Sequence, residues 1–223
     1  MAFRQPIRIF VATPVHSDVS IHYFKACLEF QKECFVRKIQ VMFQVMKSSL
    51  VTQGRQLCVS GFMESDCTHM LFIDSDISFN YKMIEKMINY NRDICLVPYP
   101  IKGTDHDKVK ARILAGETLS PHLLGNQYTM SVPDPTNVKV ENGFIEVERG
   151  PAGCMLIKKE VIHKLIKEYP EFTIKQHTLI DGKYCCPIAE PVIPVPKLYP
   201  PYAPKAVPAI LANGLPPLEL LYP

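Results

Sequence analysis

Two aspartates stand one residue apart, Asp74 and Asp76, directly after the apolar run at residues 70–73. That run has the length and composition of a short buried strand, which would present both carboxylates at its carboxyl end. In an open α/β sheet, this is the end at which ligands bind. Two carboxylates at this spacing can both reach one Mg²⁺ or Mn²⁺, whose remaining positions would hold a diphosphate. The sequence therefore predicts a metal site at Asp74 and Asp76.

An Asp-x-Asp triple is a short motif, and the chain contains a second one at Asp105 and Asp107. The second triple lies in a polar stretch with no strand pattern before it, and we interpret it as solvated loop charge. The alternative for Asp74 and Asp76 is helix capping, because Asp76 precedes a helical pattern and aspartate is common at such positions.

Other polar groups are expected at the same edge of the sheet. Thr13 and Pro14 follow the first strand pattern, and backbone groups there could contact a nucleotide base. Arg55 opens the helical pattern that precedes the aspartates, where a guanidinium could reach a phosphate or a base. Lys102 follows the next strand pattern and could neutralise phosphate. The alternative for Arg55 and Lys102 is an ordinary place on the surface.

Strand and helix patterns alternate over the first hundred residues. Strands are predicted at 7–12, 38–46, 70–73 and 94–97, and helices at 20–34, at 53–64 and after a cap near Ser78 or Asn80. This βαβαβαβ order predicts an α/β fold with a mostly parallel sheet that helices cover on both faces.

The remainder of the chain is less regular. Polar, glycine and proline residues dominate 103–137, which favours a long loop, and 138–147 reads as a hairpin with a turn at Asn142 and Gly143. A strand at 154–157 and a helix at 158–169 follow. Eleven of the twenty prolines fall in 187–223. Because proline has no N–H to donate, we expect a domain at 1–186 and an irregular tail at 187–223 that joins no sheet interior.

The composition is that of an ordinary globular chain. The 223 residues are 47% hydrophobic and 21% charged, with a formal net charge of +3, which does not call for nucleic acid as a partner. No apolar run approaches the roughly 18–20 residues of a membrane span. The first residues lack the apolar stretch of a secretory signal, and the eight cysteines have no metal-type spacing. These features predict a cytoplasmic protein with reduced thiols.

Several segments together resemble the GT-A glycosyltransferases, in particular the small glycosyltransferases of large DNA viruses such as the chloroviruses and their bacterial relatives. The likeness rests on the segments 10–14, 54–55, 64–77, 98–102 and 150–157. It covers about residues 7 to 170, and the Asp74-Ser75-Asp76 segment is its most specific element.

The resemblance implies a Rossmann-like GT-A fold and a UDP- or GDP-sugar donor. It also implies Mn²⁺ or Mg²⁺ on Asp74 and Asp76, and sugar transfer to a glycan or other hydroxyl acceptor, in the host cytoplasm if the protein is viral. The implied donor-binding residues are Ala12, Thr13, Pro14, Arg55, Asp74, Ser75, Asp76 and Lys102.

The sequence departs from that family at one point. Its members usually continue into a segment with another acidic motif, which supplies a base or positions the acceptor. After Asp181 this chain has only Glu190 and Glu219, so no residue is assigned as a catalytic base. One alternative is therefore a protein that binds a nucleotide sugar without turnover.

A second alternative is a haloacid-dehalogenase-type phosphatase, in which the first aspartate of such a triple attacks phosphorus. That family normally continues with Gly-Thr and carries the motif on its first strand. Here Ile77 and Ser78 follow the motif, and two strand–helix units precede it.

Overall fold

The computed structural model describes residues 6–101, 103–128 and 130–170, and beyond them the backbone of 173–176, 179–180, 183–184, 188–191 and 207–210. Within these residues the helices are α1 (Ile21–Val36), α2 (Val51–Glu64), α3 (Tyr81–Tyr90), α4 (His106–Leu114), α5 (Pro121–Gly125) and α6 (Lys159–Glu168). The strands up to residue 170 are β1 (Arg8–Val15), β2 (Gln40–Lys47), β3 (His69–Ile73), β4 (Ile94–Leu96), β5 (Val140–Glu141), β6 (Phe144–Val147) and β7 (Cys154–Lys158). The later strands are β8 (Thr173–Gln176), β9 (Leu179–Ile180), β10 (Lys183–Tyr184), β11 (Ile188–Pro191) and β12 (Val207–Ile210).

Eight strands form the central sheet, in the order β2-β1-β3-β7-β4-β12-β6-β5. β1 pairs in parallel with β2 and β3, and β12 pairs in parallel with β4. β7 runs antiparallel between β3 and β4, and β6 runs antiparallel between β12 and β5. Because only β6 and β7 run against the other strands, the predicted α/β fold with a mostly parallel sheet is confirmed.

Both faces of the sheet are buried at its central strands β1, β3 and β7, as their unbroken apolar runs predict, whereas the edge strand β2 has no buried residue. Along β1, Ile9 packs into one core with Phe30 of α1 and Ile84 of α3. Its neighbour Phe10 points to the other face and packs with Phe62 of α2 and Ile162 of α6. Side chains of successive strand residues alternate between the faces, so one short strand supports helices on both sides.

Local signals account for several element ends. The Ser20 hydroxyl accepts a hydrogen bond from Tyr23 N at 3.1 Å and begins α1, and Asn80 caps α3 by accepting from Met83 N at 2.9 Å. The predicted hairpin turn between β5 and β6 is present, with φ of 53° at Asn142 and 78° at Gly143. Such positive φ values are what an Asn-Gly turn accommodates.

Three expectations are wrong. The strand at the start of the chain does not stop before Pro14, because β1 pairs with β2 as far as Val15. β3 accompanies β1 only to Ala12, so at Pro14 the strand has a neighbour on one side, where a missing donor is tolerated.

The second wrong expectation is the loop at 103–137, which contains α4 and α5. α4 has no buried residue, and its charged and polar residues outnumber its apolar ones, which is why the sequence of this segment favours a loop. It is held at its start by Asp105, whose side chain accepts from Lys108 N at 2.9 Å. Asp105 is therefore a helix cap, not solvated loop charge.

The third concerns the Pro-rich tail, since β12 lies inside the sheet between β4 and β6. One proline, Pro208, stands in this strand opposite Glu146. A single proline removes one ladder donor, while Val207, Ala209 and Ile210 keep theirs, so the strand can still pair. The expectation that no residue beyond 186 joins the sheet interior is wrong for Val207–Ile210, and the domain boundary at 186 stays a prediction.

Candidate functional site

Three chain segments meet at one edge of the sheet, beyond the carboxyl ends of β3 and β4. β7 runs the opposite way between these strands, so it begins where they end: Ile73 pairs with Cys154, and Leu96 pairs with Met155. Asp74 N donates to Gly153 O at 2.8 Å, which continues this contact past the end of β3. The edge thus brings together the predicted aspartates and the glycine that precedes β7.

Arg55 reaches this edge from α2. Its Nη2 lies 2.8 Å from Asp74 Oδ1, and its Nη1 donates to Ala152 O at 3.1 Å. The guanidinium carbon also lies 5.2 Å from the centre of the Phe72 ring. With a side chain only 12% exposed, Arg55 is held in place on three sides, and the expectation that it lies beside Asp74 is confirmed.

A small residue positions the helix that carries Arg55. A Cβ on Gly54 would lie 3.4 Å from the Cβ atoms of both Pro14 and Ser48, so α2 lies directly against the end of β1. Its next residue, Arg55, is thereby directed across the end of β3. The close approach of α2 to β1 explains how residues 19 positions apart form an ion pair.

The surroundings of the Asp74 carboxylate shift its pKa in both directions. Burial raises its pKa, the Arg55 guanidinium opposes this shift, and the nearby Asp76 carboxylate adds to it, so that the pKa lies above its ordinary value. A pair of carboxylates that repel each other beside a guanidinium is a setting that a bound cation would stabilise.

Tyr99 is a member of the site that the sequence did not predict. A Cβ on Gly153 would lie within 2.5 Å of Asp74 Oδ2 and closer still to the Tyr99 hydroxyl. Burial and the Asp74 charge raise the pKa of Tyr99 to about 12, so its hydroxyl stays protonated at neutral pH. Its position shortly after a strand, like that of Asp74, is the one signal that could have identified it.

Ser75 and Asp76 form the turn that follows β3. Ser20 N, at the start of α1, donates to Ser75 O at 2.9 Å, and Ile77 N donates to Asp74 O at 3.0 Å. The turn leaves the Asp76 side chain exposed beside the partly buried Asp74. The two aspartates therefore differ in surroundings although the motif pairs them.

The three residues predicted on β1, Ala12, Thr13 and Pro14, are buried. The Thr13 hydroxyl lies 2.6 Å from the Tyr23 hydroxyl, beneath α1. This hydrogen bond occupies the Thr13 side chain, so a ligand contact there would fall to backbone groups. Lys102, the remaining predicted site residue, lies outside the described residues.

The chemistry of the aspartate pair fits a divalent cation that arrives with a diphosphate. Among the described residues no three His, Cys, Asp or Glu side chains come together as a ready-made cation cage. Mg²⁺ needs less than that, since it is commonly held by one or two carboxylates, with waters and substrate phosphates completing the octahedron. The Asp76 carboxylate is exposed to solvent, and Asp74 Oδ1 would exchange its contact with Arg55 for the cation.

A cavity of about 750 Å³ lies away from these residues, between the end of α3 and the 132–146 segment. Tyr90 stacks on Phe144 in its wall at a ring distance of 4.0 Å, and Arg92 covers Tyr90. Arg92 Nη2 also lies 3.4 Å from Glu141 Oε2, so these two charges of the cavity wall pair with each other. The cavity contains none of the predicted site residues.

None of the helices in the described residues has both the length and the apolar character that crossing a bilayer requires. No protein-family model matches the sequence, and no curated protein shows detectable similarity to it.

Several solved structures align with the chain. A197 from STIV aligns with a TM-score of 0.42 at 18% identity, over 71% of this chain and 68% of that one. A glycosyltransferase involved in the glycosylation of the major capsid of PBCV-1 gives 0.37 at 11%, over 74% and 66%. The 4-diphosphocytidyl-2C-methyl-D-erythritol synthase from Anaerococcus prevotii DSM 20548 gives 0.38 at 9%, over 80% and 82%. These values assign no activity to the chain.

Proposed function

We propose that this protein is a metal-dependent glycosyltransferase that binds a UDP- or GDP-sugar at the edge formed by Asp74, Asp76 and Arg55, and transfers the sugar to a glycan or other hydroxyl acceptor. The observation that carries the proposal is the contact between the Arg55 guanidinium and Asp74, beside an exposed second carboxylate. Carboxylates suit Mn²⁺ or Mg²⁺, and a fixed guanidinium suits a phosphate.

Each group has a role in this proposal. Asp74 and Asp76 would hold the cation, which when bound would offset the charge that develops on the leaving diphosphate. Arg55, anchored by the Ala152 carbonyl, can turn one guanidinium nitrogen from Asp74 towards the diphosphate without moving its helix. Ser75 and the backbone at the end of β1 border the space where the nucleoside would lie.

Binding of nucleotides tests the proposal directly. We expect UDP or GDP, and their sugar conjugates, to bind in the presence of Mn²⁺ and to bind much more weakly in EDTA, as measured by isothermal titration calorimetry. Asp74→Asn and Asp76→Asn should each weaken this binding by at least about 100-fold, since loss of even an outer partner of a metal ligand costs about 10- to 100-fold. Asp105→Asn is the matched control, because Asp105 caps α4 and should leave the affinity unchanged.

Turnover separates the proposal from its alternatives. Release of UDP or GDP from a nucleotide sugar, dependent on both aspartates, supports a transferase. Tight Mn²⁺-dependent binding without product release from any donor offered would indicate a non-catalytic binding protein. Release of inorganic phosphate from a phosphomonoester, without nucleotide-sugar binding, would overturn the proposal in favour of a phosphatase.

A further inference from the structure

Gly153 lies between the residues that follow the two strands flanking β7. On one side, Asp74 N donates to Gly153 O at 2.8 Å. On the other side, Val97 N donates to Cys154 O at 2.9 Å, which extends the contact between β4 and β7 and brings Tyr99 alongside. Side chains from both flanking segments can therefore fold over the same point of the backbone.

The missing side chain at Gly153 is what makes room for them. Asp74 Oδ2 and the Tyr99 hydroxyl each lie within 2.5 Å of the place that a Cβ would occupy, so the two oxygens are less than 5 Å apart. Gly153 is not among the glycines with positive φ, so the position requires glycine for space and not for backbone conformation.

The two oxygens of the Asp74 carboxylate consequently face different partners. Oδ1 contacts Arg55 Nη2, whereas Oδ2 faces Gly153 and the Tyr99 hydroxyl. A phenolic hydroxyl can donate to a carboxylate, and it does so without adding a charge that would compete with a cation. Arg55 thus contacts one oxygen of the carboxylate, and the Tyr99 hydroxyl, which has a hydrogen bond with the Gly153 backbone, lies within 5 Å of the other.

We propose that Tyr99 is a positioning residue of this site: its hydroxyl restrains the Asp74 carboxylate at the oxygen that Arg55 does not contact, and the glycine at 153 allows the two to meet. The functional part of this inference rests on the proposed nucleotide-binding function, because only then does the orientation of Asp74 set an affinity. The geometric part concerns the ligand-free protein and stands independently.

Tyr99→Phe tests the inference with little disturbance of packing, since it removes one oxygen and keeps the ring. The matched control is Tyr90→Phe, which removes a hydroxyl that donates to Glu141 at 3.0 Å, away from the site. The first measurement is the ¹⁵N resonance of the Arg55 guanidinium in the ligand-free protein, assigned by its loss in Arg55→Lys. The second is the affinity for UDP and for GDP with Mn²⁺.

We expect Tyr99→Phe to shift or broaden the Arg55 resonance and to weaken nucleotide binding about 10- to 100-fold, in line with the loss of an outer contact of a metal ligand. Tyr90→Phe should change neither. An unchanged Arg55 resonance in Tyr99→Phe would overturn the proposal. A shifted resonance with wild-type affinity would overturn its functional part.

These outcomes remain distinct from failure of the proposed function. If the wild-type protein binds no nucleotide, the proposed function fails, while the Arg55 resonance still decides whether Tyr99 positions Asp74.

A second test uses Gly153→Ala alone and combined with Tyr99→Phe. The new methyl group would meet the Tyr99 hydroxyl, and also Asp74 Oδ2 at 2.5 Å and Tyr99 Cζ at 2.8 Å, which both remain in the double variant. We therefore expect Tyr99→Phe to recover only the part of the lost stability that is due to the hydroxyl, as a non-additive change in unfolding free energy.

Discussion

The ion pair between Arg55 and Asp74, 2.8 Å from Nη2 to Oδ1, joins helix α2 to the end of β3. With side chains 12% and 29% exposed, its two members are shielded more than a surface pair. Such a contact adds little net stability, because both groups lose hydration when they meet. Its main effect is to fix the position of α2 relative to the end of β3. Removing one member, however, leaves the other partly buried without its partner.

The first prediction concerns Arg55 itself. Arg55→Met should lower the free energy of unfolding by about 1–3 kcal/mol, because Asp74 and the Ala152 carbonyl then lose their donors. It should also weaken nucleotide binding at least about tenfold, the order expected when a charged donor to phosphate is lost. Urea unfolding and titration calorimetry measure the two effects.

Arg55→Lys tests whether the positive charge of Arg55 is sufficient for these effects or whether the shape of its guanidinium is also required. A lysine keeps the charge but offers no fork that reaches both Asp74 and Ala152, so we expect only partial recovery. Arg92→Met is the control, since Arg92 pairs with Glu141 on the surface and its loss should change stability little. Wild-type behaviour of Arg55→Met would show that the ion pair has neither role.

The second prediction concerns Thr13. Thr13→Val keeps the shape of the side chain but removes the hydroxyl 2.6 Å from that of Tyr23, which keeps its hydrogen bond with Cys27, so the change should cost about 0.5–1.5 kcal/mol of stability. Nucleotide affinity should stay unchanged, because this hydroxyl is directed beneath α1. The double variant Thr13→Val, Tyr23→Phe should recover part of the loss in thermal unfolding. A tenfold loss of affinity in Thr13→Val would instead place its side chain in the binding site.

The third prediction concerns pH and His69, at the start of β3. Burial and the charge of Lys158 lower the pKa of this imidazole below its ordinary value of 6.5. At His69, the unfolded chain therefore binds a proton at higher pH than the folded chain does. The contribution of His69 to the free energy of unfolding is fully present above pH 6.5, where the imidazole is neutral in both states, and is lost as the pH falls through the folded-state pKa.

His69→Gln should remove this part of the pH dependence of unfolding. The measurement is the midpoint of urea unfolding at several pH values between 7.5 and 5, compared with wild type. His163→Gln is the control, because His163 is exposed on α6 and its replacement should keep the wild-type slope. An unchanged slope in His69→Gln would show that another group titrates.

The fourth prediction concerns β12. A chain ended after Ala206 lacks the strand between β4 and β6, whereas a chain ended after Ile210 retains it. We expect the shorter chain to be much less stable, because β4 and the β5–β6 hairpin lose their common partner. Thermal unfolding of the two truncations, side by side, measures the contribution of β12. Equal stabilities would show that the strand adds nothing to the sheet.

The sequence predicts well those elements whose signals are local. The cap at Asn80, one of the two residues predicted for it, and the turn at Asn142 and Gly143 lie where residue type indicated them, because each depends on a hydrogen bond or a φ angle within a few residues. Helix α4 was not predicted, because its sequence lacks a comparably clear local signal. None of its residues is buried, and the segment is rich in charged residues, which favours a loop over a helix.

Relationships between distant segments could not be predicted in the same way. The pattern of Cys154–Lys158 indicates a strand but carries no information about its direction or its place between β3 and β4. The contact of Tyr99 with the site depends on that placement. Asp74 was predictable because it directly follows its own strand, whereas Tyr99 becomes part of the site only through β7, which begins 55 residues further along the chain.

The insertion of β7 between β3 and β4 also has a consequence for the order of folding. β3 and β4 are close in sequence, yet neither has its inner neighbour until residues 154–158 are available. Until then the centre of the sheet presents two open strand edges, which are the features that make folding intermediates prone to associate. Long-range pairing of this kind also slows folding. Gly153 directly precedes β7 and takes its place only when β7 pairs with its neighbours. We therefore expect the cluster around Asp74 to be among the last parts of the protein to form, and nucleotide binding to require the completed sheet.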